Sequence, residues 1–76
     1  MQTLVLRLNP GDDLRASLDL ALKHGGGEAA FVVSGIGSLR GASIRFAGAA
    51  NANRIEGDLE ILTLAGSLSP DGSHLH

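Results

Sequence analysis

Residues 55–76 read I-E-G-D-L-E-I-L-T-L-A-G-S-L-S-P-D-G-S-H-L-H, and this stretch decides the fold. Ile55 to Leu68 is a long β-type segment, in which Gly57 and Gly66 mark bends or bulges, because glycine inside a strand weakens it and kinks it. Ser69-Pro70-Asp71-Gly72 is a strong turn: proline presets φ at the second position and glycine accepts positive φ at the last. His74-Leu75-His76 then begins the returning arm of a hairpin. An arm of three residues is shorter than an ordinary strand, so the hairpin is incomplete here. Its missing partner is expected either downstream or from another chain.

Upstream, Ala42, Ile44 and Phe46 alternate with Ser43, Arg45 and Ala47, the pattern of a half-exposed strand. Gly48 to Asn53 separates it from the long segment as a small, polar loop. Ala29 to Ser34 (A-A-F-V-V-S) is a continuous apolar run, which predicts a central strand covered on both faces. Gly35-Ile36-Gly37-Ser38 follows it as a bend or bulge. Before these strands, Leu14, Leu18, Ala21 and Leu22 fall on one face of an amphipathic helix spanning about residues 12–24. Asp12 is the expected N-cap, Lys23 and His24 suit the negative end of the helix, and Gly25-Gly26-Gly27 stops it. At the start of the chain, T-L-V-L-R-L over Thr3 to Leu8 has strict period two and predicts a half-buried strand. These elements together give an α+β fold, a mostly antiparallel β-sheet with one amphipathic helix.

The chain has 76 residues, enough for one small domain whose core is marginal without outside help. No cysteine is present, which removes disulfides, thiolate zinc sites and cysteine nucleophiles. With two Phe and no Trp or Tyr, the core falls to aliphatic residues that bury less area each. Yet 43% of residues are hydrophobic and 18% charged, which excludes a disordered tail. A short, apolar, aromatic-poor chain gains burial most readily from a partner subunit, so a homo-oligomer is expected. The net charge of −2, with six cations spread singly, supplies no electrostatic footprint for nucleic acid. No apolar stretch has transmembrane length and no signal peptide is discernible, so the expected setting is the cytoplasm without membrane contact.

The spacing with most chemistry in it is His74-x-His76. On a strand, positions i and i+2 point to one face, so two imidazoles can reach one metal ion. Zinc needs three or four ligands, and Glu60, Asp58 and His24 are further candidates not tied to the pair by local spacing. The plainer reading is a pair of exposed histidines without a ligand. Glu56-x-Asp58-x-Glu60 puts three carboxylates on one strand face, an arrangement usually solvated. Glu60, deepest in the apolar run, is the one that could face a site. Gly35-x-Gly37 is half of a dinucleotide fingerprint, but Arg40 stands where the third glycine belongs and no helix follows.

Three motifs in order, L-R-L-N-P-G-D-D-L with its helix, A-A-F-V-V-S-G-I-G-S-L, and D-L-E-I-L-T-L-A-G-S-L-S-P-D-G-S-H-L-H, resemble the plant and prokaryote conserved (PPC) domain. This is the domain of plant AT-hook nuclear-localised proteins and of stand-alone bacterial and archaeal proteins. The resemblance spans essentially all 76 residues. It implies an α+β fold assembled as a homotrimer. It also implies further C-terminal strands, with a Gly-Gly-His motif and a Thr-Thr-Ala-Glu stretch, that this sequence lacks. The family histidines are thought to gather zinc, and His74 and His76 match the first two of those positions, while the third has no counterpart here.

Two functions follow as expectations. The first is a trimer-forming binding and assembly module, related to DNA-binding regulators and to partners of other regulatory proteins. DNA contact would be indirect, since the Arg-Gly-Arg-Pro hook of the plant relatives does not occur. The alternative is a zinc-dependent enzyme or small-molecule binder, its metal held by His74 and His76 at a subunit junction, where an open position could activate water.

Overall fold

The computed structural model describes residues 2–76. Its elements are one helix, α1 (Leu14–His24), and five strands: β1 (Ala30–Val32), β2 (Gly37–Ile44), β3 (Asn53–Ile61), β4 (Gly66–Leu68) and β5 (His74–Leu75). The strands form two small antiparallel sheets, one in the order β1-β4-β5 and the other a β2-β3 hairpin. The α+β class read from the sequence is the class observed.

Helix α1 forms where the apolar spacing places it, but its cap lies one residue later than expected. The Asp13 carboxylate accepts from the Ala16 amide at 2.8 Å, satisfying one of the free donors of the first turn. Asp12 instead closes the preceding turn, accepting from the Asn9 amide at 2.8 Å while its own amide donates to the Asn9 carbonyl. At the other end the amides of Gly25, Gly26 and Gly27 donate back to the carbonyls of Ala21, Lys23 and Leu22. Leu18, at the centre of the apolar face, is the buried residue of the helix, and α1 lies against β4.

In the three-stranded sheet Ala30 pairs with Leu68 and Val32 with Gly66, while Gly66 and Ser67 pair on the other side with Leu75 and His74. The pairing runs one step further, with Ala65 and His76 exchanging both backbone hydrogen bonds at 2.8 and 3.0 Å. The turn over residues 69–72 forms as expected. The Gly72 amide donates to the Ser69 carbonyl, and the Ser69 hydroxyl accepts from the Asp71 amide and donates to the Gly72 carbonyl. Gly66 is required where it stands: its φ is 152°, and a Cβ there would overlap the His74 carbonyl oxygen.

Two strand expectations are corrected. The run Ala29 to Ser34 is not a central strand covered on both faces. It shortens to β1, an edge strand whose Phe31 is 80% exposed, and β4 takes the centre. Thr3 to Leu8 forms no strand; the segment carries no regular structure, and Leu4, Val5 and Leu6 are all exposed. A period-two pattern fits a residue run to a sheet edge but supplies no edge for it, and among the described residues none is paired with this segment.

The long segment predicted from Ile55 to Leu68 divides into β3 and β4 at residues 62–65. In the β2-β3 hairpin Arg40 faces Asp58 and Ala42 faces Ile55, so two residues of β3, Glu56 and Gly57, stand against Gly41 alone. This is a β-bulge at one of the expected glycines. The hairpin packs chiefly on itself and touches the helix and the other sheet only marginally. Where its two ends leave the body of the molecule, Gly35 lies against Leu64, close enough that a Cβ would crowd that side chain.

Candidate functional site

His74 and His76 stand on the returning arm of the β4-β5 hairpin, both exposed, two positions apart on one extended edge. The geometry that places them is local: the turn at residues 69–72 reverses the chain, and the pairing of Ser67 with His74 and of Ala65 with His76 holds the arm straight. The half-buried Leu75 between them takes the opposite, inward direction of the pleat.

Glu60 lies elsewhere. It sits on β3 opposite Ser38, exposed, in the other sheet, and Asp58 is beside it opposite Arg40. His24 is in the last turn of α1. Among the described residues no group of three or more His, Asp or Glu side chains comes together in a way that could hold a metal ion. His74 and His76 therefore present two donors of the four that a structural zinc takes, and within one chain the set is not completed.

One contact beside the histidines has no signal in the local sequence. The Ser73 hydroxyl donates to the Asp19 carboxylate of α1 at 2.5 Å, a short, charge-assisted bond between residues 54 positions apart. Ser73 is the one buried polar residue among those described, at 4% exposure. Together with Leu18 and Leu68, the two buried apolar side chains, it fixes the helix over the hairpin that carries the histidines.

Two grooves flank α1. The first, of about 450 Å³ and open to solvent, lies between the N-terminal segment and the helix and is lined mainly by Leu4, Leu6, Leu20 and Ala21, with His24 at its end. The second, of about 520 Å³, runs between the helix and the turn, with Arg15 and Lys23 flanking Asp19 and with Ser69 and Ser73 opposite. No helix is long and apolar enough to cross a membrane among the described residues.

Comparison with known proteins places the chain. The family model described as the Plants and Prokaryotes Conserved domain matches residues 1–76. Two curated relatives, each a bifunctional protein GlmU, come from Synechococcus sp. strains JA-2-3B'a(2-13) and JA-3-3Ab. Each is 45% identical over 71 residues, which covers 93% of this chain but 11% of the relative. The chain thus spans about a tenth of the length of the curated relatives it matches. No solved structure matches.

Proposed function

The chain belongs to the Plants and Prokaryotes Conserved domain family, and from that premise we propose that it is an assembly module, a small domain whose work is to bring copies of itself together as a trimer. The observation that carries this reading is exposed area. The chain exposes 6446 Å², whereas a compact monomer of its mass should expose about 4,400 Å². The surplus of about 2,000 Å² is surface for something outside these 76 residues to cover, and two neighbouring copies at about 800 Å² or somewhat more each would suffice.

Much of that surplus is apolar. Val5, Phe31, Val33, Ile36 and Leu62 are all exposed, while among the described residues Leu18 and Leu68 are the buried large aliphatics. Burial at a subunit junction would supply what the chain's own core does not. The radius of gyration points the same way: 12.9 Å, against about 11.4 Å for a compact chain of this length. In the GlmU relatives the matching stretch is a small part of a much longer polypeptide, the form in which an appended assembly domain would act.

DNA contact in this reading is indirect, through whatever the assembled module carries or recruits. The formal charge of −2 favours that over a direct grip on phosphates. Zinc enters as a clip between subunits: His74 and His76 offer two ligands on an exposed edge, and the remaining ligands would come from outside this chain.

Native mass spectrometry of the 76-residue chain tests both statements together. The expected result is a discrete trimer, with zinc bound in the parent and lost in the His74→Ala, His76→Ala double variant. A monomer across the micromolar range overturns the assembly reading. A trimer whose zinc content is the same in the double variant overturns the clip alone.

A further inference from the structure

We propose that the two sheets are one antiparallel ribbon interrupted by a hinge, which closes when residues 33–36 zip onto residues 62–65. The hinge belongs to the single chain and does not depend on assembly. Its evidence is the register. In the three-stranded sheet Ala30 faces Leu68 and Val32 faces Gly66, and in the hairpin Gly37 faces Ile61 and Arg40 faces Asp58. Counting on from Val32 and Gly66 reaches Gly37 and Ile61 with no residue left over on either strand. The two links are therefore equal in length and already in step. Each link ends on a glycine of positive φ, Gly37 at 150° and Gly66 at 152°, a backbone state that other residues rarely adopt and that suits a pivot. The hairpin beyond the links has scarcely any contact with the rest of the chain to hold it at one angle.

A change of covered face holds the hinge open. In the three-stranded sheet Ala30, Val32 and Leu68 are covered and Phe31 is exposed. In the hairpin Leu39, Leu59 and Ile61 are half-buried, whereas Ser38, Arg40, Asp58 and Glu60 are exposed. Alternate residues of one pleat point to opposite faces, so the ribbon turns over between its two halves, and the unpaired links are where it does so. Gly35 permits the turn. Its φ is not positive, so the need for glycine there is steric. A Cβ at position 35 would stand 3.0 Å from the Leu64 Cβ, whose place no side-chain rotation changes. In the zipped ribbon that crowding disappears, because position 35 faces Thr63 while Leu64 lies on the opposite face, paired with Ser34. Ile36 and Leu62, both exposed with the hinge open, become cross-strand neighbours when it closes. The open form is the resting state, and closing fixes the direction of the hairpin relative to the helix.

Amide hydrogen exchange of the Gly35→Ala variant, read residue by residue by NMR, tests the hinge. Ala65 and His76 exchange both backbone bonds, so the alternate residues Leu62 and Leu64 turn their amides toward the other link. Closing therefore protects Ser34, Ile36, Leu62 and Leu64 and leaves Val33, Thr63 and position 35 free. In the parent all of these amides are expected to exchange fast. In Gly35→Ala, where the added Cβ bars the open form, the first group should slow at least tenfold and the second should not, with helix content unchanged by circular dichroism. Fast exchange throughout in a folded Gly35→Ala chain overturns the hinge. Should that variant fail to fold, the decision passes to Ile36→Cys combined with Leu62→Cys, both at exposed positions in a chain without native cysteine. Residues so paired lie about 5.5 Å apart at Cα, a separation that a disulfide spans. A bridge within one chain that also slows Ser34 and Leu64 tenfold supports closing. Thiols that stay free under mild oxidation, or a bridge that leaves those two amides fast, overturn it. Neither result depends on subunit number, so the hinge and the assembly reading fail separately.

Discussion

Ser73 and Asp19 illustrate how far one hydrogen bond reaches in a domain this small. Ser73 precedes the histidine edge and Asp19 is in mid-helix, so their bond couples the two pieces of structure that meet over Leu18 and Leu68. Ser73→Ala removes the donor and leaves a half-exposed carboxylate that water can still reach. The expected cost is about 1 kcal/mol, read as a fall of roughly 4–8 °C in thermal midpoint. An unchanged midpoint would mean the bond contributes nothing net. Gly66→Ala is expected to be harsher, because the added Cβ meets backbone, which cannot rotate away. Loss of about 2 kcal/mol or more is expected, together with loss of the β4-β5 cross-strand signals in NMR spectra. The two histidines were legible in the sequence as a strand-spaced pair, and the structure presents them so. The Ser73–Asp19 bond was not legible, because no spacing rule links residues brought together only by the packing of helix on sheet.

Elements differ in how much of their definition is local. The helix carries its own, in apolar spacing, an acidic N-cap and a glycine stop, and it appears within two residues of where those signals put it. Asp13→Ala should cost about 1 kcal/mol and reduce ellipticity at 222 nm, whereas Asp12→Ala, acting only on the exposed turn, should change it less. An equal loss in both variants would move the cap back to Asp12. Strands are defined by partners, and here the local pattern misled twice. Thr3 to Leu8 alternates as a strand should but is paired with none of the described residues. Ala29 to Ser34 is apolar throughout yet lies at an edge with Phe31 and Val33 exposed. Both errors have one cause: composition reports what a segment would bury, and only the assembled sheet decides whether anything covers it. Hydrogen exchange checks this, with the amides of Thr3 to Leu8 expected to exchange rapidly in dilute chain and to slow at concentrations where copies associate.

The whole molecule sets the stability of its parts. The two buried aliphatic side chains among the described residues are too few to absorb a cavity, so Leu18→Ala, costing about 2–5 kcal/mol, is expected to abolish cooperative unfolding of the isolated chain. If copies supply the missing burial, the thermal midpoint of the parent must rise with protein concentration over a hundredfold range. A midpoint independent of concentration would count against assembly at every scale discussed. Composition alone already raises that expectation, because length and the near absence of aromatics bound the core before any element is placed. It could not say which surfaces stay open, since those follow from the split into two sheets.

The generous exposure of the folded chain also bears on how it comes apart. An unfolded chain of this mass exposes about 11,300 Å², so folding alone hides less than half of that area rather than the 60% usual for a domain this small. Denaturant sensitivity and the heat-capacity increment both scale with the area released. The lone chain should therefore melt over a broad interval with a shallow denaturant slope, and a steep, sharp transition would be the mark of association.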